Sequence, residues 1–235
     1  MDINSEIKMK IIYANSDHDN GQYIEESIIS ARSFKKHIPN AKIELYTNTN
    51  EKIDPVFNQV HVVDFVVPDR LKNRIHKRGQ MLVKMNAMLE SQDEHNLYLG
   101  CDTYALNEKA SEPFKLLSRY DLALVHAPHQ HQMNSEIPFC FREWNCDVIY
   151  WKQNAKTINF IQKWKTLYEN DLIDHLHDQG SFRYLAWKMK DIDIFTLPFQ
   201  YNNRCGLFGS QGSSATDLSD SVIIQNRDIV KQIEK

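Results

Sequence analysis

The stretch LYLGCDTYAL, residues 97–106, ends an apolar run at a single carboxylate, Asp102, before a second strand-like run begins. A short apolar run of this kind predicts a buried strand, which we place at Asn96–Cys101. In open sheets of parallel strands, ligands bind just beyond the carboxyl ends of the strands. The position of Asp102 therefore predicts a carboxylate that faces a ligand.

Outward from this stretch, apolar runs typical of strands alternate with segments of helical period along the whole chain. The other predicted strands are Met9–Ala14, Lys42–Thr47, Val60–Phe65, Asp121–Val125, Asp147–Trp151, Ile192–Leu197 and, last, Ser221–Gln225. Such alternation is typical of a mostly parallel central sheet flanked by helices. The length of 235 residues suits one α/β domain spanning residues 1–235.

Four segments between the strands carry apolar residues on one helical face. Their apolar stripes cover residues 24–34, 81–89, 158–168 and 182–189. Lys84 lies at the edge of the second stripe, where its stem could pack while its ammonium reaches an anion. Asp178 and Gln179 directly precede the fourth stripe.

The composition excludes several classes of protein. The formal net charge is −3, so no overall basic field favours nucleic acid as a partner. No stretch reaches the length of an apolar membrane span, and the first ten residues contain no apolar core of a signal peptide. The four cysteines stand singly, which is typical of reduced thiols. We therefore expect a cytoplasmic protein without a membrane span.

Several stretches, in order, resemble the motifs of GT-A glycosyltransferases, the nucleotide-diphospho-sugar transferases related to glycogenin and the family 8 enzymes. LYLGCDTYAL resembles the D-x-D strand of that family. The other similar stretches are IIYANSDHDNGQYIEESIISARSF (11–34), RGQMLVKMNAMLES (78–91), WNCDVIYWKQN (144–154), HDQGSFRYLAW (177–187) and LPFQYNNR (197–204). The resemblance covers roughly residues 8 to 230, nearly the whole chain.

This resemblance implies transfer of a sugar from a nucleotide-diphosphate donor to an acceptor hydroxyl, with retention of the anomeric configuration. Asp102 aligns with the last acid of D-x-D, the usual ligand of Mn²⁺ or Mg²⁺. Asp178 and Gln179 align with the catalytic D-Q pair. The residues implied to bind the nucleotide sugar are Ala14, Asn15, Ser16, Asp17, Tyr23, Arg78, Lys84, Cys101, Asp102, Asn145 and Asp147. The acceptor (glycan, protein or lipid) and the oligomeric state are not implied.

The chain departs from the family pattern at three positions. Gly100 replaces the first acid of D-x-D, and Gln225 stands near where related enzymes often carry a metal-binding histidine. An amide oxygen is a poorer ligand than imidazole for Mn²⁺, so these two positions weaken the expectation of a metal-dependent enzyme. Asp147 replaces a glycine that usually follows the family's asparagine, which bears on the choice of donor.

Each of these residues also has a structural interpretation. Asp102 could cap the turn before Thr103, residues 14–17 could form an Asx-rich turn, and Asp178 could be the N-cap of its helix. Lys84 could be a solvated helix lysine. For the whole chain, the alternatives are a catalytically degenerate protein that binds a nucleotide sugar and a nucleotidyltransferase. The latter lacks support, since no Gly-rich, lysine-containing loop follows the first strand.

Overall fold

The computed structural model describes residues 8–16, 21–49, 53–67, 79–128, 136–170, 177–204 and 218–228. Within them, a central sheet has seven strands: β1 Met9–Ala14, β2 Lys42–Thr47, β3 Gln59–Val62, β4 His95–Leu99, β6 Leu122–His126, β7 Trp144–Lys152 and β8 Ile194–Leu197. Their order across the sheet is β3-β2-β1-β4-β7-β6-β8. All pairings are parallel except those that β7 makes with β4 and β6. The expected mostly parallel α/β sheet is confirmed.

A second, two-stranded antiparallel sheet joins β5 (Thr103–Ala105) to β9 (Ile223–Gln225). This pairing carries Gln225 beside Asp102, because Thr103 lies directly opposite Gln225 and the Asn226 N–H donates to the Asp102 carbonyl at 3.0 Å. The strand-like run after Asp102 thus brings the end of the described chain back to the end of β4.

Helices cover both faces of the large sheet. The helices are α1 Gln22–His37, α2 Gly79–Glu90, α3 Pro113–Leu116, α4 Ala155–Asn170 and α5 Asp178–Lys188. Along β4, Leu97 and Leu99 pack into the core that contains α1, while Tyr98 packs into the core that contains α2, α4 and α5. A strand buried on both faces reads as a continuous apolar run, which explains the sequence of β4.

The predicted bounds of β1 and β2 are observed without change, and the others differ at their ends. β3 is shorter than predicted, because it is an edge strand that pairs only with β2 over four residues. β7 begins at Trp144 rather than Asp147, because its first residues pair with the end of β6. The longer β7 places Asn145 inside the strand rather than before it, and Asp147 within the strand rather than at its start.

Across the described ranges, the helices are too short or too polar to cross a membrane.

Candidate functional site

The ends of β1 and β4 lie side by side at one edge of the sheet. The two strands are parallel neighbours, with Tyr13 opposite Leu99. Ala14 and Ser16, at the end of β1 and just beyond it, and Asp102, just beyond β4, therefore lie at the same edge. Ala14 and Ser16 are buried, and Asp102 is partly exposed. The geometry required for a shared site is present, and the binding roles stay predictions.

The Asp102 carboxylate belongs to a hydrogen-bond network centred on Gln225. The Gln225 Nε2 group donates to Asp102 Oδ1 at 3.2 Å and to Asp147 Oδ2 at 2.7 Å. Its Oε1 accepts from Asn145 Nδ2 at 2.9 Å, and Asn145 Oδ1 accepts from the Asp147 backbone N–H at 2.8 Å. One amide group therefore holds the carboxylate of Asp147 in β7 and that of Asp102 in the turn after β4.

The Asp102 side chain does not cap the turn before Thr103, because Gly100 closes that turn. The Thr103 hydroxyl donates to the Gly100 carbonyl at 2.8 Å, and the Thr103 N–H approaches the same oxygen at 3.3 Å. The carboxylate side chain is thus directed to Gln225 rather than to its own turn. This contact removes the structural alternative considered for Asp102.

The Asp102 carboxylate is in an unfavourable electrostatic environment. Desolvation of the carboxylate by the surrounding protein, and next the charge of Asp147, raise the pKa of Asp102 to about 6, against the lowering effects of Gln225, Arg204 and Arg227. Two carboxylates that share one neutral amide repel each other. A cation placed between them would remove this repulsion.

The donor chemistry here fits a hard divalent cation. Among the described residues, no group of three or more His, Cys, Asp and Glu side chains could hold a metal ion. Asp102 and Asp147 offer carboxylate oxygens, and Gln225 offers an amide. Mg²⁺ and Mn²⁺ prefer oxygen ligands, and Mg²⁺ commonly binds through one or two carboxylates plus substrate phosphates.

A buried ion pair between Lys84 and Asp178 lies close to Asp147 of this network. The Lys84 ammonium contacts Asp178 Oδ2 and donates to the Cys146 carbonyl at 3.0 Å. It also lies 5.0 Å from the centre of the Tyr98 ring and 5.1 Å from that of Trp164. Burial alone would lower the pKa of Lys84, but the Asp178 carboxylate and other nearby groups raise it.

The structure excludes the structural interpretations given above for Lys84, as a solvated lysine, and for Asp178, as an N-cap. The Lys84 side chain is only 1% exposed, so it is not a solvated helix lysine. The N-cap of α5 is His177, and Asp178 is the first residue of the helix. Asp178 is held there because its carbonyl accepts from Trp164 Nε1 at 2.9 Å, while its carboxylate faces Lys84. Gln179 is buried beside it.

The residues expected to receive the nucleotide lie around the start of α1. Asn15 Nδ2 donates to the Ser27 hydroxyl at 2.8 Å, so the Asn15 amide fixes the loop to the helix. The Tyr23 ring lies 5.0 Å from the Arg227 guanidinium. Cys101 is buried, and its thiol donates to Glu26 Oε2 at 3.4 Å. Asp17 and Arg78, predicted for the same site, lie outside the described residues.

The sequence alone did not point to Glu26, Arg204 or Asn202. Glu26 is 1% exposed and forms an ion pair with Arg227 at 2.7 Å, although it lies in the helical segment read as an apolar stripe. Its only signal was an acid between the apolar positions Ile24 and Ile28. Asn202 is buried, and within the described ranges neither atom of its amide has a hydrogen-bond partner.

Comparisons with known proteins give the fold independently. No family model and no curated protein matches the chain. Solved structures do match, including the glycosyltransferase GlyE of Streptococcus pneumoniae TIGR4, with a TM-score of 0.62 and 16% identity over 93% of this chain. The chain spans only 54% of the GlyE chain.

Two other similar structures correspond over most of their own length. The galactosyltransferase LgtC, in complex with donor and acceptor sugar analogues, has a TM-score of 0.63 and 12% identity, over 92% of this chain and 86% of LgtC. Mouse xyloside xylosyltransferase 1 has a TM-score of 0.59 and 12% identity, over 95% of this chain and 98% of the mouse chain. The chain has the fold of these glycosyltransferases, which confirms the GT-A fold expected from its motifs.

Proposed function

We propose that this protein, as a single domain, transfers a sugar from a nucleotide-diphosphate donor to an acceptor hydroxyl. The observation that carries the proposal is the continuous polar chain at one edge of this fold, from Asp102 through Gln225 to Asp147. The Lys84–Asp178 pair lies close enough for Asp147 to act on the Lys84 charge. Carboxylates held in such a network could bind a cation, and a reaction that releases a diphosphate requires positive charge near the leaving group.

The leaving group sets the chemistry required. Negative charge grows on the nucleoside diphosphate as the bond to the sugar breaks, and it must be stabilised where it forms. A divalent cation held by Asp102 supplies that stabilisation when bound. Arg204 and Arg227 already lie close enough to lower the pKa of Asp102, so their charges also reach the place where the diphosphate would bind.

The Lys84–Asp178 pair has a different role in this proposal. Because Lys84 is enclosed and paired with Asp178, its ammonium is not free to reach a phosphate. We therefore assign Lys84 as a positioning residue that fixes Asp178 and Gln179 at the start of α5. Because the same pair encloses Asp178, Gln179 would contact the sugar and Asp178 would hold Gln179 in place. Retention of the anomeric configuration follows only from the resemblance to glycogenin-like enzymes.

Thermal melting with a panel of nucleotide sugars tests this function. A ligand that binds only the folded protein is expected to stabilise it by about 2.7 kcal/mol at a hundredfold excess over its Kd. For a chain of this size that corresponds to roughly 5–11 °C in Tm. The panel would contain uridine, guanosine, cytidine, adenosine and thymidine diphosphate sugars, each with Mn²⁺ and with chelator, and the matching monophosphates as controls.

Release of free nucleoside diphosphate from the donor that raises Tm separates an enzyme from a binding protein. Turnover with water or an added acceptor supports transfer. Stable binding without release would favour the degenerate nucleotide-sugar binding protein instead. If no donor in the panel shifts the melting curve or is consumed, the proposed function is wrong.

A further inference from the structure

Gly100 and Asp147 face each other where β4 leaves its pairing with β7. Leu99 is paired with Val148, and the Gly100 N–H donates to the Asp147 carbonyl at 2.7 Å. Opposite residues of an antiparallel pair project from the same face of the sheet. A Cβ atom at position 100 would lie 3.1 Å from the Asp147 Cβ and 3.4 Å from its Cγ. The Asp147 side chain therefore fills the space that a side chain at position 100 would need.

The same glycine separates Asp147 from Asp102. A Cβ atom at position 100 would lie 3.4 Å from Asp102 Oδ1, so the two carboxylates flank the bare Gly100 backbone. Gln225 Nε2 lies within hydrogen-bond distance of an oxygen of each carboxylate, at 3.2 and 2.7 Å. The NH₂ group thus occupies the point from which both carboxylates can be reached.

We propose that Asp147 and Asp102 bind one divalent cation together, with the Gln225 amide oxygen as a third protein ligand. This inference deepens the proposed function by naming the ligands of its cation. The carboxylate that the resembling motif carries at position 100 is here supplied by the opposite strand. Gly100 and Asp147 are the two departures from the family pattern at this place. Together they amount to one change, in which the glycine and the carboxylate have exchanged places on the two facing segments.

Rotation of the Gln225 amide converts the observed network into this site. Turning the amide over places Oε1 toward the two carboxylates and Nε2 toward Asn145. There Nε2 meets Asn145 Nδ2, the group that donates to Oε1 in the observed network, so the Asn145 amide must turn over as well. The hydrogen bond between Gln225 and Asn145 is then kept with its direction reversed, at the loss of the one from the Asp147 N–H to Asn145 Oδ1. Both carboxylates become free to hold the cation.

Titration with Mn²⁺ alone, followed by electron paramagnetic resonance of the free aqua ion, measures this site without any donor. Asp147→Asn keeps the shape of the side chain and deletes one ligand charge, so it should weaken Mn²⁺ binding about tenfold or more. Asp147→Gly should weaken it similarly. The exchange variant G100D/D147G restores the ligand charge, so its affinity should return to within about threefold of the parent.

Asp193→Asn is the matched control, because Asp193 is 60% exposed and pairs with Lys156 rather than with this network. It should bind Mn²⁺ as the parent does. Melting curves identify the variants that fold. If Asp147→Gly and G100D/D147G do not fold, Asp147→Asn by itself tests the proposal. The proposal is overturned if the parent shows no saturable Mn²⁺ binding, or if folded Asp147→Asn binds it equally well. A folded exchange variant that does not recover also overturns it.

Because no nucleotide sugar is present, this result does not depend on turnover. Mn²⁺ binding that requires Asp147 would stand even if no donor were consumed. Conversely, donor turnover in a protein that binds Mn²⁺ equally well without the Asp147 charge would support the function and overturn the cation ligands named here.

Discussion

Replacing Lys84 by Met is expected to lower the free energy of unfolding by about 3–5 kcal/mol, because it leaves Asp178 as a buried charge without its partner. The Asp178 side chain is only 5% exposed, so water cannot compensate for the lost ammonium. For a chain of this length, the loss corresponds to roughly 6–20 °C in Tm. Thermal or urea melting measures it directly.

Two further variants test whether the ion pair is the cause. Asp178→Asn should lower the free energy of unfolding less than Lys84→Met does. Lys84 would keep its hydrogen bond to the Cys146 carbonyl and its contacts with the Tyr98 and Trp164 rings. K84M/D178N should recover about half or more of the stability lost in Lys84→Met. Neutralising both partners of a buried ion pair costs less than leaving one charge buried without its partner. Lys156→Met is the matched control, because Lys156 is 51% exposed in its pairs with Asp193 and Asp121. It should leave the melting temperature close to that of the parent.

An equal Tm for Lys84→Met and the parent would show that the buried pair does not hold α5 on the sheet. A double variant that is as unstable as Lys84→Met would instead assign the loss to packing around the lysine stem.

Replacing Asp102 by Asn is expected to lower turnover about a hundredfold or more, equivalent to about 2.7 kcal/mol of barrier, while raising stability. The carboxylate has a pKa of about 6 in the folded protein, above its ordinary value of 3.8, so at neutral pH its charge opposes folding. Removing that charge should add about 1–3 kcal/mol in the presence of a chelator. Activity and stability therefore move in opposite directions at this residue.

The pH dependence separates charge from shape. As the pH falls from about 7 through 6 to 4, Asp102 of the parent protonates, so the stability advantage of Asp102→Asn should shrink. Melting of both proteins over this range, together with turnover of the identified donor, gives the two readouts. Asp193→Asn should match the parent in both. Full turnover by Asp102→Asn would move the charge compensation of the diphosphate to Arg204 and Arg227.

Local sequence was sufficient wherever one strand or helix decides the outcome. The apolar runs of β1 and β2 predicted their bounds without error, because both strands are central and buried. The run before Asp102 predicted β4, and the rule for parallel sheets placed Asp102 at a ligand-binding edge. At an edge strand such as β3, pairing partners rather than pattern set the length, and the prediction was less accurate.

What the sequence by itself determined is the alternation of strands and helices, and hence the sheet, its covering helices and the edge at which Asp102 lies. What only the tertiary structure decided is which distant groups meet there. Gln225 reaches Asp102 over 123 residues, and Lys84 reaches Asp178 over 94. Such contacts depend on the order of the strands and on the space that each side chain leaves for its neighbours. Gly100, for example, leaves the space that the Asp147 side chain occupies. No local sequence pattern encodes such contacts.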